Sequence, residues 1–300
     1  MRIAVFGYSE LTRHCIHALK LLGAELWLFC PRGDSALFER ALMDRLDLPV
    51  LWFDQFADPE LTDSLDDFAP QCVLSVIFNH RLPESVLNRS RIASLNIHPA
   101  PLPGFRTASP WFWPIREGLR DSSICIHHMT STFDQGPIVL RHRLALSPYE
   151  TQGLYAKRLN SAAPALMEQL YRLLQSTPFP QGEPQQHGTR FPPVCRDDIL
   201  LDFSRPVADI EALVRACNPF HTAGTLFRGR ALGVHEAECI PGATGKAGAT
   251  LVSNGELLVN AADGRVRLSL VDPPGEGIFT GARFVELYQV ASDERMGHGA

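Results

Sequence analysis

Short apolar runs alternate with amphipathic helical spacings along the first half of the chain. Runs at 2–6, 25–30, 50–53, 71–78 and 93–98 read as strands, and 3.6-residue spacings at 11–22, 36–46, 61–68 and 111–117 read as helices. Strands alternating with helices from the start predict an α/β unit: a Rossmann-like, mostly parallel sheet covered on both faces. Two closely linked strands (124–129 and 138–146) and a long amphipathic helix (152–175) complete it. Residues 177–193 are rich in Pro, Gly and Gln with few apolar positions, which reads as a linker. Beyond it come a helix at 207–217 and short strands at 223–227, 232–236, 250–253, 257–260 and 266–271. Asn254-Gly255 and Asp263-Gly264 are hairpin turns, so this half reads as a small, mostly antiparallel barrel. The expected boundaries are a catalytic domain at 1–176, a linker at 177–199, a barrel domain at 200–291 and a frayed polar tail at 292–300.

One strand carries chemistry. Side chains alternate along 93–98, so Asn96 and His98 share a face and are followed by the proline-stiffened loop Pro99-Ala100-Pro101-Leu102-Pro103. In open α/β sheets the strand ends are where ligands bind. A histidine at a strand end is by itself more often structural than catalytic. A second feature changes that balance: Asp134 and Gly136 lie between two predicted strands. A carboxylate against an imidazole fixes its tautomer and raises its basicity, and an amide beside them donates to a developing oxyanion. With no serine or cysteine partner, this set suggests attack by an external nucleophile on a bound acyl donor.

Composition narrows the setting. The 300 residues, 45% of them apolar, suffice for one large or two ordinary cores. No apolar run is long enough to span a membrane, and the opening residues do not form a signal peptide. Seven scattered cysteines without a Cys-x-x-Cys suggest a reducing cytoplasm. Gly7 follows the first strand but lacks the further glycines of a dinucleotide fingerprint. His127 and His128 are adjacent on a strand and face opposite ways, and no other histidine shows ligand spacing, so no metal is expected. Trp111, Trp113 and Tyr155 have the geometry to stack on a ring, although such spacing more often marks core.

Taken in order, Asn96-x-His98-Pro99, Leu102-Pro103-x-Phe105-Arg106 and Asp134-x-Gly136-x-Ile138 resemble the folate-dependent formyltransferases, whose members modify methionyl-tRNA, amino sugars and glycinamide ribonucleotide. Leu201-Asp202-Phe203 with the helix that follows resembles the start of that family's OB-like C-terminal barrel. The resemblance implies 10-formyltetrahydrofolate as formyl donor, an amine as acceptor, and no metal. It implies that Asn96 polarises the formyl oxygen, His98 handles the amine's proton and Asp134 orients His98. The pterin is expected beside residues 75–82 and the acidic motif, with Phe78, Leu82 and Phe133 as walls and Gly136 in the cofactor-binding turn.

The departures are Pro99, Ala100 and Thr107, which point to an altered acceptor mouth. The exit of the second strand is short, and from 200 to 300 nine Lys/Arg face twelve Asp/Glu. On these grounds tRNA is not expected as a partner, and the expected acceptor is a small-molecule amine: an amino sugar nucleotide or an amino-acid-type intermediate. The alternatives are methionyl-tRNA formyltransferase, a 10-formyltetrahydrofolate hydrolase, or a non-catalytic folate- or nucleic-acid-binding module.

Overall fold

In the computed structural model, which describes residues 1–33, 45–242 and 245–297, the chain divides into two compact units. The first comprises Met1–Pro110, Asp121–Ala145 and Ala156–Phe191; the second comprises Trp111–Arg120, Leu146–Tyr155 and Pro192–Ala300. The expected helix at 36–46 falls almost entirely outside the described residues. Among the described residues, no helix is long and apolar enough to cross a membrane.

The first unit is a seven-stranded sheet in the order β3-β2-β1-β4-β5-β6-β7. Its strands are β1 (Arg2–Phe6), β2 (Glu25–Pro31), β3 (Val50–Phe53), β4 (Cys72–Val76), β5 (Ala93–His98), β6 (Asp121–His128) and β7 (Ile138–Ala145). The first five are parallel; β6 and β7 run antiparallel at one side. β4 is buried at every position, which explains its unbroken apolar run. It stops at Val76, short of the expected 78, because Ile77 turns the chain with a φ of 48°. Helix α1 (Glu10–Leu21) begins with a capping box between Ser9 and Thr12, and α2 (Pro59–Phe68) is capped by Asp58. A short helix, α3 (Glu84–Leu87), precedes β5. One face of the sheet carries an aromatic core in which Phe6 stacks on Phe29 at 5.0 Å and meets Phe78 edge-on at 5.8 Å.

The linker reading gives way here. Residues up to Phe191 belong to the first unit and pair with it along two lines. Glu183 and Ile138 exchange both backbone hydrogen bonds, and Arg106 donates to Thr189 O while accepting from Phe191 N. A segment without periodicity is ordered whenever its backbone groups find partners, and composition does not report those. Gly188 is required at this strap, since a Cβ there would collide with the carbonyl of Pro103.

The second unit contains α4 (Trp113–Arg116), the start of α5 (Gln152–Ser176), α6 (Val207–Cys217) and α7 (Gly281–Tyr288). Strands β8 (Ala223–Phe227), β9 (Arg230–Pro241), β10 (Thr250–Ser253), β11 (Glu256–Asn260) and β12 (Gly264–Asp272) form an antiparallel sheet in the order β10-β11-β12-β9-β8, with β13 (Phe279–Thr280) on β12. Its hydrogen-bonded path is open, whereas the hairpins suggest a closed barrel. Hairpin turns fix neighbours in sequence and say nothing about the two outer strands.

The tail, expected to fray, is ordered through residue 297. Arg295 bridges to Ala249 beside β10, and Met296 bridges to Phe227 at the end of β8. Met296 itself is 1% exposed. Trp113 and Tyr155 are core residues of this unit, 8% and 0% exposed.

Candidate active site

β5 lies between β4 and β6, and its register sets Asn96 opposite Ser75 on one side and His127 on the other. Leu95 and Ile97 are buried on the opposite face, so alternation leaves Asn96 and His98 together at the strand's end. The proline loop then curls back until the Phe105 carbonyl stands 2.7 Å from His98 Nε2. A carbonyl only accepts, so Nε2 carries the proton and Nδ1 holds the lone pair.

Asp134 arrives from the turn between β6 and β7. Its Oδ1 lies 3.5 Å from His98 Nδ1 and 3.4 Å from His127 Nε2. Asp134 has a φ of 55°, a left-handed conformation that costs roughly 1–3 kcal/mol outside glycine and needs support from its surroundings. Gly136 supplies close approach: a Cβ there would collide with the His128 carbonyl. Arg81 donates to Ser131 O at 3.0 Å and so ties the loop after β4 to this turn.

The structure therefore brings together Asn96, His98 and Asp134. It adds His127, which no motif in the sequence marks and whose side chain is 2% exposed. Nδ1 of His127 donates to the His128 carbonyl at 2.8 Å, which leaves Nε2 to accept from Asn96 Nδ2 at 3.1 Å. The amide nitrogen of Asn96 is thus turned toward the centre, 3.5 Å from Asp134 Oδ1. The signal was present in the sequence, because an antiparallel partner for β5 would carry one of the two adjacent histidines to the Asn96 face.

Electrostatics set the protonation states. Burial lowers the His98 pKa, against the opposing influence of Asp134 and the Phe105 hydrogen bond. Burial alone would raise the Asp134 pKa; His98, His127 and Arg106 outweigh it and hold the carboxyl below the usual range. Near neutral pH the pair is a neutral imidazole beside a carboxylate, an arrangement suited to taking up a proton. Burial pushes the Cys72 and Cys217 thiols up to about 12, so neither is a nucleophile at neutral pH. Among the described residues no group of three or more His, Cys, Asp or Glu could hold a metal ion.

Of the expected pterin walls, Phe78 and Leu82 lie in the aromatic core beside β4, 8% and 5% exposed. Phe133 stands apart from them on the acidic turn, 49% exposed. Gly136 is buried in the same turn.

Comparison with known proteins agrees with the fold. A formyl transferase model matches residues 46–170, and a formyl transferase C-terminal domain model matches residues 194–289. The methionyl-tRNA formyltransferase of Myxococcus xanthus is 29% identical over 247 residues, covering 81% of this chain and 78% of that protein. An N-formyltransferase from Helicobacter canadensis, solved in complex with folinic acid and dTDP-3-aminofucose, superposes with a TM-score of 0.67 at 12% identity, covering 89% of this chain and 98% of that one. HypX from Aquifex aeolicus in complex with tetrahydrofolic acid superposes with a TM-score of 0.65 at 16% identity, over 98% of this chain and 48% of HypX. This chain thus spans about half the length of HypX, and both superpositions are likenesses of fold.

The Myxococcus match overturns the expectation that tRNA is no partner. That expectation rested on net charge, which averages over the whole surface, whereas phosphates are met by local clusters of cations. Nearly all the positive charge here is arginine, the side chain best matched to phosphate geometry. The exit of β2 beyond Gly33, the other ground, lies outside the described residues.

Proposed function

This chain belongs to the formyltransferase family, and from that premise we propose that it moves a formyl group from 10-formyltetrahydrofolate to an amine, the acceptor being the α-amino group of methionine esterified to tRNA. The observation that carries the chemistry is the buried neutral His98 facing ionised Asp134 beside an amide donor. The aligned methionyl-tRNA formyltransferase of Myxococcus xanthus supports the acceptor.

The residues divide the work as follows. The amine nitrogen attacks the formyl carbon, and negative charge develops on the formyl oxygen. Asn96 Nδ2, whose contact with Asp134 is long at 3.5 Å, turns one N–H to that oxygen. His98 Nδ1 takes the proton the amine must lose, and Asp134 stabilises the imidazolium that forms. The proton returns to the departing folate nitrogen as the carbon–nitrogen bond to the donor breaks, so atoms and charge balance without an enzyme nucleophile. The donor's pterin is held beside Phe78, Leu82 and the loop after β4, with Phe133 and Gly136 on the acidic turn.

The test follows tetrahydrofolate release from 10-formyltetrahydrofolate with methionyl-tRNA, nucleotide-linked amino sugars, amino acids or no acceptor. Turnover that depends on methionyl-tRNA is expected, with His98→Ala slower by at least ~100-fold. Turnover with an amino sugar alone would replace the acceptor and keep the donor. Equal turnover with and without any amine would make the protein a hydrolase. Absence of turnover under all conditions would sink the reading.

A further inference from the structure

The strap formed by residues 182–191 meets both loops that build the active site, and one side chain joins them. Gln185 Nε2 donates to the Asp134 carbonyl at 2.9 Å and to the Gly136 carbonyl at 2.7 Å. Its Oε1 accepts from Arg106 Nη2 at 3.1 Å, and the same guanidinium nitrogen donates to Gln186 O at 3.2 Å. Both amide protons and the amide oxygen of Gln185 are thus engaged.

The two loops it joins present the two halves of the proton-handling pair. Arg106 follows Phe105, whose carbonyl fixes the His98 ring, and the Phe105 ring stacks on Phe191 of the strap at 5.0 Å. The Asp134–Gly136 turn presents the carboxylate from a left-handed residue that does not hold this conformation by preference. Backbone pairing of Glu183 with Ile138 and of Thr189 and Phe191 with Arg106 anchors the strap on either side of Gln185.

We propose that Gln185 is a positioning residue for formyl transfer: it clamps the Asp134 turn to the Arg106 loop and so fixes the carboxylate against His98. Three charged or titratable groups face Asp134, namely His98 from β5, His127 from β6 and Arg106 from the proline loop. The clamp holds two of them, Arg106 directly and His98 through Phe105. Residue 185 lies between the two stretches that the family models match, 46–170 and 194–289, and its role is read from the strap's path.

The kinetic arm of the test rests on the formyl-transfer reading. Gln185→Met keeps the length of the side chain and deletes its polar atoms; Gln185→Glu keeps the acceptor for Arg106 and removes both donors. Each is expected to lower kcat roughly 10- to 100-fold, the scale of a small misplacement of a reacting group. In an Asp134→Asn background the further loss is expected to shrink to within about twofold, since a residue acting through Asp134 has nothing left to position. The same fold loss in both backgrounds, or no loss in the single variants, overturns the proposal. If Gln185→Met does not fold by circular dichroism, Gln185→Glu carries the cycle.

An activity-independent readout is the His98 ring titration followed by NMR. Withdrawal of Asp134 removes the influence that raises the His98 midpoint, so the midpoint is expected to fall in Gln185→Met. If wild-type protein turns over no acceptor, the formyl-transfer reading has failed and this titration alone decides: an unchanged midpoint then overturns the clamp.

Discussion

His98 is where burial and hydrogen bonding combine to produce a base. Its Nε2 proton is committed to a backbone carbonyl and its Nδ1 lone pair faces Asp134, so proton uptake has one site and one stabilising partner. The rate of formyl transfer follows the neutral imidazole. Burial lowers the His98 pKa, so activity is expected to be full at neutral pH and to fall with acid around an apparent midpoint below the ordinary 6.5. In Asp134→Asn the influence that raises His98 is gone, so the acid limb moves to still lower pH while the plateau drops on the order of 100-fold. A pH–rate profile of both proteins checks this; an acid limb that moves upward in the variant contradicts the assignment. Asn96 and His98 are legible in the sequence because period two holds along any strand. Asp134 is legible only beside the proline motif, and its left-handed φ not at all. The role of His127 is not legible in the sequence, because it depends on which nitrogen carries the proton, and that is set by the His128 carbonyl and the Asn96 amide.

The elements that hold these residues differ in how far the sequence discloses them. Strands β1 and β4 show because their burial writes compact apolar runs, and β5 because its apolar positions alternate with polar ones. The strap does not show, since its order comes from backbone pairing and from Gln185, and its prolines and glycines imitate a linker. The turn between β6 and β7 lies between these cases. Gly136 packs so closely on the His128 carbonyl that a Cβ has no room, and the obstacle is backbone, which cannot rotate aside. Gly136→Ala is therefore expected to displace the turn and with it Asp134. The expected cost is at least ~10-fold in kcat and about 1–3 kcal/mol of stability from overpacking, read by steady-state kinetics and urea unfolding. Unchanged kinetics in a folded variant would mean that the turn tolerates a shift without moving the carboxylate.

At the scale of the whole molecule, the two units reach order by different means. The first is a layered sheet with its aromatic core to one side. The second is an open antiparallel sheet whose outer strands, β8 and β10, are joined through the chain's late residues. Asp293 N donates to Thr250 O and Thr250 N to Glu294 O on the β10 side, while Gly297 N donates to Leu226 O on the β8 side. Arg228, just past β8, forms two hydrogen bonds to the Glu294 carboxylate, at 2.6 and 2.7 Å. An exposed pair of this kind contributes little by itself, so the weight of the junction falls on the buried Met296 and the backbone pairing. A polar composition concealed this, because one methionine among polar residues gives no periodicity. Met296→Ala removes a fully buried side chain from the point where both outer strands are covered. It is expected to cost about 2–5 kcal/mol, seen as a lower urea midpoint. Arg228→Ala, on the exposed pair, is expected to stay within about 1 kcal/mol. If the two variants lose equal stability, the junction is held by the ion pair and the packing argument fails.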